Sequence, residues 1–523
     1  MASFGGFCGP DTAAPLASDG PGGGQIDQRK KQDRVRENAM EQQQLSGIDA
    51  SFLYLETPET PMHVAGLTYF ELPESFEGSF YQHFRKFFEG RLHTIPIFSK
   101  RLAPSLYDLD HPGWVDEPEI DLDYHLRETT LPAPGSEAQL EEVIARLHAN
   151  TLDRSRPLWQ FYIITGLANG QGVLYSKVHH AAVDGGAGMA INKALYDVTV
   201  VPREVPPPPP KTTGAKAAPI APISVDPLKG ITDIMGNMMR QQLKMWEAAP
   251  EILSSMTNAF LGKPGEMPKA LGTLQSLISQ LPTLNAPRTP FNATITRERS
   301  YAARTISLTD AKAVAKASGA KLNDVVLAIC GGALRRYLQE KGQLPDKPLI
   351  AGVPISLREP GDTRQNNQVS GMLCQIATDI ADPAERLKAI LKSSSEAKQI
   401  AGTFRDAVPQ DFAFVGAPIL LQLMMLVYGR SGLADKIPMP MNVTISNVPG
   451  PPMPLYCAGA KVTALHPVSI PAHGAALNIT VQSYMDALNF GLTADRRAVP
   501  DVGLLGDYLV EAATELTKAV ATP

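Results

Sequence analysis

Residues 172–178 read Gly-Val-Leu-Tyr-Ser-Lys-Val, a short apolar-rich run that predicts a strand, and residues 64–71 (VAGLTYFE) predict another. Residues 140–152 instead carry their apolar positions at helical spacing, so residues 45–203 are expected to form one α/β unit of alternating strands and helices. A second α/β unit is expected over residues 300–523. Its predicted helices lie at 310–317, 324–337 and 504–518, and its strands at 349–355, 443–446 and 477–485. No short period recurs along the chain, which excludes solenoids and propellers.

The intervening residues 204–299 have a different character. Residues 206–210 are five consecutive prolines, which predict an extended, exposed connector, because proline fits neither a helix interior nor a central strand. Beyond it Leu228, Ile231, Ile234, Met235, Met238, Met239, Leu243 and Trp246 recur at helical spacing. That methionine-rich face suits either core packing or an irregular lipid surface. Residues 1–44 are rich in Gly and Pro, then charged, then rich in Gln, and are expected to be a disordered extension. Residues 412–428 form an apolar stretch interrupted by Gly416, Pro418 and Gln422, and it is shorter than the roughly 20 apolar residues that span a bilayer. A buried helix is predicted there, with a membrane-surface helix as the alternative.

Composition narrows the classes. Hydrophobic residues are 44% of the 523 and charged residues 19%, as in a folded globular chain long enough for more than one core. A net charge of -5 supplies no basic field, so nucleic acid is not an expected partner. Four dispersed cysteines show no disulfide framework, and the first residues lack a basic segment leading into an apolar one. A reducing, cytoplasmic location without export is therefore expected.

The chemistry concentrates after the predicted strand, in His179-His180-Ala181-Ala182-Val183-Asp184-Gly185. Neighbouring side chains of a strand point to opposite faces, so one histidine of the pair can face a cavity while the other packs away. A hydroxyl that attacks a thioester needs a base with a pKa near neutrality, which imidazole supplies. Asp184 could hold the loop or a partner cation, and Gly185 and Gly186 permit a tight backbone. Metal chemistry is not expected: His63, His83, His93, His111, His125, His148, His466 and His473 are scattered without ligand spacing. His179 to Asp184 also satisfies the His-x-x-x-x-Asp pattern of membrane glycerophosphate acyltransferases, but the chain lacks the spans of that class.

The HHxxxDG motif resembles that of the bacterial wax ester synthase/diacylglycerol acyltransferase family, and the likeness runs from about Leu45 to the end. It includes Gly47-Ile48-Asp49-Ala50-Ser51-Phe52, Glu56-Thr57-Pro58, residues 114–127, Arg156-Pro157-Leu158-Trp159, Asn323-Asp324-Val325-Val326, Val353-Pro354-Ile355-Ser356-Leu357-Arg358, and Ser446-Asn447-Val448-Pro449-Gly450-Pro451. The resemblance implies an α/β fold with mixed sheets, in two chloramphenicol-acetyltransferase-like halves. A tunnel between them would admit acyl-CoA from one side and the acceptor from the other. It implies transfer of a long-chain acyl group from acyl-CoA to diacylglycerol or a long-chain alcohol, with no cofactor beyond that substrate, at a membrane or lipid-droplet surface. His180 would be the general base, with His179, Asp184 and Gly185 completing the catalytic motif and Asp184 pairing with Arg358. Asn323 would bind the acceptor or the oxyanion, or cap its helix. Pro157, Leu158 and Trp159 would line the channel or pack beneath it, and Ser446 and Asn447 would lie beside the tunnel or form a turn. The rival readings are an HHxxxDG condensation enzyme acting on carrier-bound thioesters, and a non-catalytic lipid-binding paralogue.

Overall fold

The computed structural model describes residues 45–103, 112–183, 185–207, 286–356, 369–405, 428–429, 431–432, 435 and 440–521. The expected extension 1–44, the helix at 228–246, nearly all of the stretch 412–428, Asp184 and Arg358 lie outside the described residues.

The first part of the chain runs α1 (Gly47–Leu55), β1 (His63–Glu71), α2 (Phe80–Glu89), β2 (Lys100–Leu102), β3 (Trp114–Asp116), α3 (Leu122–His125), β4 (Leu126–Thr130), α4 (Glu137–Ala149), β5 (Trp159–Thr165), β6 (Gly172–His179), α5 (Gly185–Leu195) and β7 (Tyr196–Asp197). The second runs β8 (Arg299–Ser307), α6 (Leu308–Ser318), α7 (Leu322–Glu340), β9 (Ile350–Ser356), β10 (Val369–Gln375), α8 (Pro383–Arg405), β11 (Val443–Val448), β12 (Tyr456–Cys457), β13 (Ala460–Val468), β14 (Leu477–Tyr484), β15 (Ala487–Asp495) and α9 (Val502–Ala521).

The predicted helix at 140–152 begins three residues earlier and stops at Ala149. The cause is local: the Ser136 hydroxyl accepts from Gln139 N while Gln139 Oε1 accepts from Ser136 N, a reciprocal cap that starts the helix ahead of its apolar stripe.

Two mixed sheets result, as the fold class anticipated. One has strand order β4-β5-β6-β1-β13-β12-β7 and the other β10-β9-β11-β14-β15-β8. The first sheet is completed by β12 and β13, which come from the second part of the chain; β13 pairs antiparallel with β1, matching Leu67 to His466. The sheets touch where β13 passes β15. A Cβ on Gly491 would stand 1.7 Å from the Pro467 carbonyl oxygen, so only glycine permits this approach.

Apolar layers on both faces of the first sheet and within the second part hold the assembly. Phe70, Phe84, Phe88, Phe98, Trp159 and Phe161 form an aromatic core on one face of the first sheet. On its other face, Leu140 and Ile144 of α4 pack with Leu67, Tyr175 and Val468, and Tyr301 of β8 joins them, so that core spans both parts. In the second part, α7 is buried along most of its length against β-strand residues such as Ile445, Ile479 and Phe490. Side chains of this size each contribute about 1.5–3 kcal/mol when removed from water.

Candidate active site

β6 delivers the histidine pair. His179 is the last residue of the strand and pairs in register with His63 of β1. Its backbone N–H donates to Leu158 O at 3.0 Å, and that of His180 donates to Met62 O at 2.8 Å. Both neighbouring segments thus fix the point at which the strand ends in a single 3-10 turn, His180–Ala182.

The two rings then separate, as strand alternation predicts. His179 is fully buried, its Nδ1 accepts from Ala181 N at 3.1 Å, and its Nε2 lies 3.4 Å from Glu56 Oε1. An Nδ1 that accepts leaves the proton on Nε2, where it faces a carboxylate. His180 remains partly exposed and stacks on Phe52 of α1, with ring centroids 4.0 Å apart and planes 12° from parallel. Its Nδ1 lies near its own backbone carbonyl without a partner at normal hydrogen-bond geometry. Burial lowers its pKa to about 4, below the near-neutral value the sequence led one to expect of the base, so the ring is neutral at physiological pH.

Glu56 belongs to the Glu56-Thr57-Pro58 stretch, whose spacing assigns it no role. In the fold it organises the pair. Glu56 Oε1 accepts from Met62 N at 3.1 Å, and Oε2 accepts from Arg154 Nε and a terminal nitrogen at 3.0 and 2.9 Å. Burial pushes the carboxyl pKa up, but the His179 ring and the Arg154 guanidinium outweigh it and hold the value at about 2. Met62 therefore receives Glu56 on its N–H and His180 on its carbonyl.

His63 and His148, scattered in sequence, are brought together beneath His179. Their rings meet edge to face at 4.6 Å, and His63 Nε2 bonds His148 O at 2.8 Å. His148 Nε2 donates to Ser469 O at 2.9 Å and its Nδ1 accepts from the Tyr175 hydroxyl at 2.9 Å. Lys177, two residues before His179, is buried and donates to Leu147 O and Asn150 O at 3.0 and 2.9 Å; burial lowers its pKa to about 7. These commitments explain the tight packing, and among the described residues no three His, Cys, Asp or Glu side chains converge as metal ligands.

The remaining sequence-derived positions separate. Pro157, Leu158 and Trp159 are all buried. Trp159 stacks between Phe98 and His125 at 4.7 and 4.3 Å and donates its indole N–H to Phe98 O, so its place is in the core rather than on a channel wall. Leu158 packs with Leu53 of α1 and Ala181, directly behind the histidine turn. Asn323 is the second residue of α7 and partly exposed; the capping expected of it falls instead to Asp324, which accepts from Lys321 N at 3.1 Å and from the Ser394 hydroxyl at 2.7 Å. Ser446 and Asn447 continue strand β11 beside Thr480 and Val481 of β14, so the turn begins only after Val448. Gly185 opens α5; Asp184 and Arg358, and hence their pairing, lie outside the described residues.

A cavity of about 200 Å³ lies under α5, lined by Val183 and Gly188 on one side and by Gly66, Thr68, Ser176 and Val178 on the other. It reaches Leu465 of β13 and Gln482 of β14, so both parts of the chain contribute. Gly66 and Ser176 are cross-strand partners, and their small side chains leave the space open.

Comparison with known proteins is consistent over most of the chain. The model of the wax ester synthase/diacylglycerol acyltransferase catalytic domain matches residues 45–326, and that of the C-terminal domain of the same family matches residues 365–517. A Mycobacterium tuberculosis protein that carries the name putative diacyglycerol O-acyltransferase is 37% identical over 481 residues, covering 91% of this chain and 100% of its own. The solved wax ester synthase/diacylglycerol acyltransferase from Marinobacter aquaeolei VT8 superposes with a TM-score of 0.64 at 30% identity, covering 91% of this chain and 99% of that one. The first condensation domain of the calcium-dependent antibiotic synthetase, at 14% identity, covers 92% of this chain and 96% of its own with a TM-score of 0.51 and shares the fold alone. With both family domains matched in order around the HHxxxDG turn, this chain belongs to the wax ester synthase/diacylglycerol acyltransferase family and is an acyltransferase.

Proposed function

We propose that this acyltransferase moves a long-chain acyl group from acyl-CoA to diacylglycerol or a long-chain alcohol, releasing CoA, with His180 as the general base. The observation that carries the reading is the asymmetry of the histidine pair: His179 is sealed against Glu56, whereas His180 is neutral, partly exposed and held by stacking and a backbone anchor. With the Nδ1 proton turned toward the residue's own carbonyl, Nε2 presents a lone pair to an acceptor hydroxyl. His180 takes the hydroxyl proton as the oxygen attacks the thioester carbonyl, and the collapsing intermediate expels the CoA thiolate, which recovers that proton. No acyl-enzyme and no further cofactor are required. General-base catalysis of this kind contributes about 10²- to 10⁴-fold.

Asn323 at the start of α7 and Ser446 and Asn447 at the end of β11 are assigned to substrate contact, Asp184 and Gly185 to shaping the loop, and Arg358 to holding Asp184. The cavity beneath α5, beginning beside Val183, suits an alkyl chain. Among the described residues no helix is long and apolar enough to cross a membrane; the acceptor is insoluble in water, and the reading places its uptake at a membrane or droplet surface. The test is purified protein with palmitoyl-CoA and either hexadecanol or dipalmitoylglycerol, following CoA release and the lipid product. Thioester consumption without an ester product from either acceptor refutes the proposal.

A further inference from the structure

On the face of the first sheet covered by α4, a second cleft of about 540 Å³ opens where the C-terminal end of α4 meets the start of β8. It is lined by Arg146, Arg297, Arg299 and Arg496 against Glu142 and Glu298, and with Glu59 paired to Arg297 four positive side chains face three negative ones, an excess of one positive charge. Its volume falls in the range of small-molecule sites.

The arginines are arranged rather than merely exposed. Glu142 pairs with both Arg146 and Arg496, which orients them toward one space. Arg299 is 2% exposed at the floor and donates to the carbonyl oxygens of Thr296, Glu298 and Glu59, with no carboxylate paired to it among the described residues. The Asp495 and Glu59 carboxylates act on it through space, but burial outweighs them and lowers its pKa to about 10, a cost that a further anionic group in the cleft relieves. The side chains of Arg146 and Arg297 are 74% and 65% exposed and engage Glu142 and Glu59 through Nε, at 2.9 and 3.8 Å, which leaves their terminal nitrogens to reach a guest. Guanidinium forks match phosphate oxygens two at a time.

We propose that this cleft binds the phosphates of the CoA portion of the acyl donor. The assignment rests on the acyl-CoA reading above and adds where the donor's charged end sits. Its position suits that role: Arg299 anchors on Glu59 O, and His180 anchors on Met62 O. These carbonyls lie three positions apart in the chain, an extended reach of no more than about 11 Å. A pantetheine arm crosses that gap and carries the thioester from the arginines to the base.

The same phosphate chemistry is offered by an anionic lipid headgroup, so the experiment has separate arms. With wild-type protein, KM is measured for palmitoyl-CoA, palmitoyl-3′-dephospho-CoA and palmitoyl-pantetheine at saturating acceptor, and then repeated with Arg146→Glu and Arg297→Glu. The expected result is that KM for palmitoyl-CoA rises roughly tenfold in each variant, as for loss of one charge-assisted hydrogen bond. KM for the acceptor holds, and the difference between variant and wild type disappears with palmitoyl-pantetheine. Calorimetry with adenosine 3′,5′-bisphosphate gives a readout independent of turnover: wild type binds it and the variants bind it at least tenfold more weakly. Equal KM values for palmitoyl-CoA in wild type and variants, or a bisphosphate that does not bind, overturn the proposal. Loss of flotation with phosphatidylglycerol vesicles in the variants, while bisphosphate binding is unchanged, assigns the cleft to lipid and also overturns it. A wild-type protein that turns over no thioester refutes the function instead, and the bisphosphate arm still judges the cleft.

Discussion

Glu56→Gln removes one charge from the support of the histidine pair while preserving shape. The glutamine carbonyl still accepts from Met62 N, so the main-chain anchor beneath His180 is kept. What disappears is the attraction to Arg154, 2.9 Å away, and to the His179 ring. Holding this carboxyl at about 2 rather than 4.5 corresponds to about 3 kcal/mol in favour of the folded, ionised form. Removing one partner of a buried pair generally costs about 3–5 kcal/mol, and the Arg154 side chain, 36% exposed, recovers part of its hydration. A loss of about 3 kcal/mol is therefore expected at pH 7, read as the free energy of denaturant unfolding for wild type and variant. The sign of the pH dependence follows from a folded pKa below the unfolded one. The stabilisation is fully present above about pH 4.5 and is lost as pH falls through 2, so the gap between wild type and variant narrows on acidification. A loss below about 1 kcal/mol at pH 7, or a gap that widens in acid, refutes the assignment of Glu56 as the ionised anchor.

His180→Ala is expected to reduce acyl transfer by at least about 100-fold with little change in the unfolding midpoint, whereas His179→Ala, which empties a fully buried site, lowers the midpoint more than the rate per folded molecule; steady-state rates beside melting curves separate the two. Acid should weaken the fold before carboxylates titrate: His180 and His466 are held at about 4 by burial, so their contribution is complete above pH 6.5 and each forfeits about 3 kcal/mol by pH 4. Unfolding free energies measured from pH 7 to 4 check this, and a flat profile contradicts it. Gly491→Ala forces a Cβ onto the Pro467 carbonyl where the two sheets touch and is expected to cost at least about 2 kcal/mol, visible as loss of folded yield or a lowered midpoint.

What the sequence determined by itself is what depends on near neighbours. The apolar run at 172–178 has the composition of a strand, and it ends at His179 as β6. The alternation of a strand separated the two histidines before any contact was known. The helices at 310–317, 324–337 and 504–518 lie inside α6, α7 and α9 because periodic burial is written into consecutive residues. Boundaries moved where a cap overrode the apolar stripe, as at Ser136. Tertiary structure decided what depends on residues far apart in the chain. No spacing rule links Glu56 to His179, His63 to His148, or Arg146 to Arg299 and Arg496, since each pair meets only after loops of tens to hundreds of residues close. Asp324 caps α7 through the local contact with Lys321 N, but the hydroxyl of Ser394 that reaches its other oxygen arrives from α8, 70 residues away. Likewise β13 joins the first sheet because its register with β1 buries Val462, Leu465 and Val468 in the cores on both faces of that sheet, and local propensity cannot name a strand's distant partner.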